Sequence, residues 1–232
     1  MPFFYFDLKY LLFIAPAVLL AMWAQWRVQA AFAAAAREPA PLTGAAAARH
    51  ILDSAGATDV EIESVPGQLS DHYDPRSRVL RLSPAVYGER SLAAVGIAAH
   101  EAGHALQDAQ GSSLMAIRNA AVGVANIGSG FGLLVFMLGL GFALQPIAWL
   151  GIALFGATVF FQLVNLPVEI DASNRAKAQL VDLGIVPAAE MPAVNRVLNA
   201  AAWTYVAATL HSVLTLLYYA GYLTGSSGDS DG

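Results

Sequence analysis

His100, Glu101 and His104 stand in the stretch AAHEAGHALQ (98–107), among alanine, glycine and leucine. Four residues apart on a helix, two imidazoles lie about 40° apart on one face, one turn above the other, and can reach a single ion. Glu101, next to the first histidine, can hydrogen-bond a metal-bound water without occupying the metal. H-E-x-x-H thus supplies two nitrogen ligands for zinc and one carboxylate as general base. With five histidines in 232 residues, the pattern is rare by accident. Ala98, Ala99, Ala102, Gly103 and Ala105 let other backbone approach closely. Glycine inside a helix costs about 1 kcal/mol relative to alanine, so Gly103 implies a packing reason.

Catalytic zinc takes three protein ligands and keeps one position open for water. The chain has no cysteine, so the third ligand must offer nitrogen or oxygen. His50, His72 and His211 are the other histidines. Within FQLVNLPVEIDASNRA, Pro167 is expected to open a new helix carrying Glu169. On it Ala172, Ser173 and Ala176 share the face of Glu169, while Asp171 points the other way and can pair with Arg175. A carboxylate on a small-residue face suits docking against a second small-residue helix. Glu169 is therefore the expected third ligand, with Asp171 in reserve. Tyr205, further along, offers a hydroxyl donor for an oxyanion, or else packs between helices.

These residues sit in a chain that is 57% hydrophobic and only 12% charged, about half the charged fraction of a soluble domain. No charge occurs from Asn119 to Val168, nor from Leu198 to Ser227. Both runs exceed the roughly 20 residues that cross a bilayer. Four transmembrane helices are expected, over 8–26, 121–144, 147–166 and 200–223. Tyr5 and Tyr10 at one end of the first, and Trp23 and Trp26 at the other, are placed as interfacial aromatics. A cleaved signal peptide is the competing reading of that segment; Asp7 and the length of the apolar run speak against it. The second and third spans meet in a short turn at Gln145-Pro146, and Gly128 and Gly132 form a small-xxx-small pair for close approach. The tail, 224–232, is expected to be disordered.

Eleven of the twelve basic residues fall in two segments, 27–119 and 167–199, which four crossings place on one side. The positive-inside bias makes that side cytoplasmic and puts both termini outside. The net charge of −5 and the lack of a basic stripe exclude a nucleic-acid partner. In the first segment, Val28–Arg37 prolongs the first span until Pro39 and Pro41 stop it. Thr43 caps a short helix ending at Gly56. VEIESV (60–65) and RVLRLS (78–83) alternate as strands, and Ser91 begins the helix that runs to about Gln107. The fold class is mainly α, a four-helix transmembrane protein with a small cytoplasmic α+β domain.

The chain resembles the bacterial neutral zinc membrane peptidases of the YugP type. The resemblance rests on AQWRV, LTGAAAARHILD, VPGQLSDHYDPRSRVLRLS, VGIAAHEAGHALQ, FQLVNLPVEIDASNRA and AAWTYVAATL, which together span nearly the whole chain. The family is similar to membrane-embedded gluzincins such as the prenyl-protein and heat-shock membrane proteases, in which a glutamate from a later helix completes the zinc sphere. The resemblance implies a zincin-like domain, with His100, His104 and Glu169 as ligands and Glu101 as base. Where those relatives often carry Asp four residues after the third ligand, this chain has Ser173. In such proteases a strand before the zinc helix lines the substrate cleft, which gives DHYD two readings. Either His72 stabilises an oxyanion and Asp71 and Asp74 orient ligands, or the segment is an Asx-type turn with Pro75.

Taken together, the expectation is an integral-membrane, Zn2+-dependent metalloendopeptidase of the bacterial inner membrane, with its site on the cytoplasmic side. Its partners would be the lipid bilayer and a peptide or membrane-protein substrate, with no oligomeric state implied. The alternative is a non-catalytic membrane scaffold clamped by a structural zinc. Glu101 separates the two, because a closed four-ligand site has no use for a base.

Overall fold

A computed structural model describes residues 8–227. Helix α1 (Leu8–Ala35) leads to a short helix α2 (Gly44–Ser54), whose first turn is capped where Thr43 Oγ1 accepts from Ala46 N. Three short strands follow: β1 (Glu61–Ser64), β2 (His72–Asp74) and β3 (Val79–Leu82), in the order β1-β3-β2. β3 pairs parallel with β1 and antiparallel with β2. The one-turn helix α3 (Pro84–Tyr87) precedes α4 (Leu92–Ala109), the helix of the H-E-x-x-H motif, and Ser91 Oγ caps α4 by accepting from Ala94 N. Three long helices complete the chain: α5 (Ser113–Gly141), α6 (Gln145–Asp182) and α7 (Met191–Ser227). The protein is mainly helical, with a small sheet and four helices, α1, α5, α6 and α7, apolar and long enough to cross a membrane.

The chain divides into two units. One comprises the residues up to Trp23, Ile117–Leu166 and Thr204 onward. The other comprises Ala24–Ala116 and Pro167–Trp203. In the first, the glycines of α5 admit the backbone of α6. A Cβ at Gly132 would come within 2.8 Å of Phe155 N, and one at Gly139 would strike Ala148. Here the small-xxx-small glycines, together with Gly139, serve close helix packing. In the second unit, α4 is buried on nearly every side, which its alanines and glycines permit because they add little bulk beyond the backbone. Ile51, Leu52, Leu80, Leu82 and Val95 form the centre of its core.

Several elements depart from the sequence reading. Pro167 does not open a helix; it lies inside α6, which runs unbroken past it. Proline removes one backbone hydrogen bond, at roughly 3 kcal/mol. Val168, Ala172, Ala176 and Leu180, at four-residue intervals, are all buried, and that stripe rewards continuation. The turn between the long helices falls at 142–144 rather than at Gln145-Pro146, since proline is well placed in the first turn of α6. β2 is a strand the alternation rule did not reveal, because three residues are too few to alternate. α1 ends at Ala35, and α7 begins at Met191, ahead of the apolar run from Ala200. Of the tail 224–232, residues 224–227 continue α7. Residues 228–232, like Tyr5 and Asp7, lie outside the described residues.

Candidate metal centre

α4 and α6 meet where neither carries bulk. A Cβ on Gly103 would come within 2.6 Å of the Ala172 carbonyl oxygen and 3.3 Å of its Cα. Alanine at that position would therefore clash with backbone, which cannot rotate away. That approach is the packing reason the glycine implied, and it sets the residues flanking Gly103 against those flanking Ala172.

His100, His104 and Glu169 converge there. One ligand atom from each lies within 4.8 Å of the others, and they are the only such group of three among the described residues. His100 Nε2 stands 3.2 Å, and His104 Nε2 3.4 Å, from Glu169 Oε2. In a tetrahedral zinc site with bonds of about 2.0–2.1 Å, neighbouring ligand atoms are about 3.3 Å apart. Both distances to Glu169 therefore fit a shared ion, and the donor set fits zinc in chemistry. All three side chains are buried or nearly so. Burial opposes charge on His104, but the hydrogen bond it donates to Glu169 and the charges of Glu101 and Glu169 outweigh it and hold its pKa above the ordinary histidine value. A divalent cation at this point would take over the role that a proton plays there.

The remaining nitrogen of each histidine is also occupied. His104 Nδ1 lies 2.9 Å from Gln107 Oε1, an acceptor, so that nitrogen carries the proton and Nε2 keeps its lone pair for a metal. Gln107 is itself anchored on α6, because its amide nitrogen donates to Val168 O at 2.9 Å and to Asp171 Oδ2 at 2.8 Å. Asp171 also accepts from Arg175 Nε at 2.6 Å. The reserve ligand is thus held outside the ligand group, as a link in a chain running from Arg175 through Asp171 and Gln107 to His104. On the other histidine, Nδ1 lies 3.1 Å from Ser173 Oγ. Ser173 stands at the position where, by the resemblance, membrane gluzincins often carry Asp, and its hydroxyl can accept as a carboxylate would.

Glu101 is buried, and its Oε2 accepts from the backbone N–H of Tyr73 at 3.1 Å. The phenol of Tyr73 donates to Asp108 Oδ2 at 2.8 Å. Glu101 and Asp108 are seven residues, two turns, apart on one face of α4, so Tyr73 ties β2 to that face at both ends. Burial, then the Asp108 carboxylate, pushes the Tyr73 phenol well above its usual pKa and keeps it a donor. The rest of DHYD is used otherwise. Asp71 accepts from the backbone N–H and hydroxyl of Ser83, and His72 is exposed with Nδ1 on Ser70 O. Asp74 accepts from Arg76 N, Ser77 Oγ and Arg81 Nη1, the Asx-type turn closing the β2–β3 connection. These bonds, Ser77 first and then Arg81, hold Asp74 well below the usual carboxylate range. Tyr205 and His211 lie on α7 in the apolar unit. Gln107 and Tyr73 are the residues sequence reasoning passed over. The signals were present: Gln107 lies three residues after the second histidine, and Glu101 and Asp108 share a helical face.

Residues 10–224 match the family described as "Putative neutral zinc metallopeptidase", and the chain belongs to that family. It is 45% identical over 211 residues, 90% of this chain and 94% of the relative, to a Bacillus subtilis (strain 168) protein named "Putative membrane protease YugP". No solved structure matches the chain.

Proposed function

We propose that the protein is an integral-membrane zinc metalloendopeptidase in which His100, His104 and Glu169 hold the metal and Glu101 is the general base. The observation that carries this reading is the convergence of two Nε2 atoms on Glu169 Oε2, with both Nδ1 atoms engaged elsewhere. Zinc bound there supplies acidification of water and polarisation of a carbonyl. Glu101 accepts the proton of the attacking water and returns it to the leaving amine. The Tyr73 backbone N–H holds one Glu101 oxygen and leaves the other for that transfer. Gln107 and Ser173 fix the imidazole planes and tautomers, so that neither histidine must reorient to bind the ion. Three protein ligands leave a position open, which favours an enzyme over a structural clamp.

The same reading places 27–119 and 167–199 on the cytoplasmic side of the bacterial inner membrane and both termini outside, supported by eleven of twelve basic residues falling in those segments. The substrate is a peptide or membrane protein. Glu101→Gln should keep its zinc by elemental analysis and lose peptide hydrolysis by about 10²–10⁴-fold. A Glu101→Gln protein that still cleaves would falsify the assignment. Because the chain has no cysteine, single introduced cysteines report sidedness directly; labelling of a Ser54→Cys protein from the outer face would overturn the topology.

A further inference from the structure

Glu169, Ser173 and Lys177 follow one another at four-residue intervals on α6, so they form one stripe, with Lys177 about 12 Å along the axis from the metal ligand. Ser173 and Lys177 also line a cavity of ≈ 280 Å³ between α6 and the start of α7 in the polar unit.

Lys177 is partly buried, and its Nζ donates to Asn199 Oδ1 at 2.7 Å. Among the described residues it meets no carboxylate. A partly desolvated ammonium whose partner is a neutral amide still has charge to satisfy. The hydroxyl of Ser173 and the amides of Asn174 and Asn199 stand around the same space and can donate to an anion. The cavity is also graded. Ile170 and Trp203, both more than two-fifths exposed, are the lining residues nearest in sequence to Leu166 and Thr204, where the apolar unit's segments of α6 and α7 end and begin. Asn199 on α7, and Asn174 and Lys177 on α6, lie one to two turns further from those segments.

We propose that this cavity binds the headgroup phosphate of an anionic phospholipid, with Lys177 as its cation and Ile170 and Trp203 flanking the start of the acyl chains. A tryptophan on the apolar side of a lysine is the arrangement that interfacial lipid favours, whereas a water-soluble anion has no use for the apolar rim. The inference rests on the membrane placement of the long helices and not on catalysis.

The test uses the full chain with Trp203 as its sole tryptophan, Trp23, Trp26 and Trp149 being replaced by Phe. It is reconstituted in phosphatidylcholine vesicles containing brominated phosphatidylglycerol or brominated phosphatidylcholine. Brominated phosphatidylglycerol should quench Trp203 at about fivefold lower mole fraction, the preference expected of one lysine near a membrane surface. Lys177→Arg should keep that preference, and Lys177→Gln should lose it while retaining its zinc by elemental analysis. Equal quenching by the two lipids, or an undiminished preference in Lys177→Gln, overturns the proposal. So does loss of the preference on adding inorganic phosphate, which would mark a site for the free anion.

Discussion

α6 is approached through glycine twice, by α5 and by α4, and only one of the two contacts carries chemistry. In the apolar unit, Gly132 and Gly139 of α5 face Phe155 and Ala148 of α6, and the residues around the contact are apolar. In the polar unit, Gly103 of α4 faces Ala172 of α6, and the residues around that contact are His100, His104, Gln107, Glu169, Asp171 and Ser173. Close approach is therefore a packing device with no chemistry of its own. What distinguishes the second contact is that every polar group brought into it has a partner, as burial requires.

The comparison can be broken most severely at the glycines. Gly103→Val should drive α4 from α6, abolish zinc retention and destabilise the protein by several kcal/mol, read by elemental analysis and thermal unfolding. Gly139→Val should also destabilise, but the protein that remains folded should keep its zinc. A Gly139→Val protein that loses metal as completely as Gly103→Val would erase the distinction. Next in size, Gln107→Leu removes the acceptor for His104 Nδ1 and the donor to Val168 O and Asp171 Oδ2 on α6. Zinc affinity should fall about 10–100-fold in competition with a chelator, with the fold retained. Ser173→Ala should act in the same direction and more weakly, because His100 is the more exposed of the two histidines. Smallest of all, Thr43→Ala removes the cap of α2 and should cost about 1 kcal/mol in unfolding free energy with zinc affinity unchanged.

Much of this was legible in the chain. The charge-free runs announced long apolar helices because length and polarity alone decide that question. Thr43 and Ser91 announced helix starts because a cap is a local hydrogen bond. The strand β2 was not legible, since its pairing with β3 and its hold on Glu101 come from residues distant in sequence. The course of α6 was misjudged for a similar reason. Pro167 is a local signal to stop, overridden by a buried stripe whose value depends on what it packs against.

By itself the sequence determined the helix that presents His100, Glu101 and His104, because four-residue spacing on an α-helix is a matter of local geometry. It also narrowed the third ligand to a carboxylate on a small-residue face. Only the tertiary structure decided that Glu169 meets both Nε2 atoms while Asp171 holds Gln107. It likewise decided that Ser173 and Gln107 take the two Nδ1 atoms, and that a backbone N–H from β2 reaches Glu101. Those bonds join residues 28 to 73 positions apart, or depend on a partner that such a bond anchors, and no local rule can specify them.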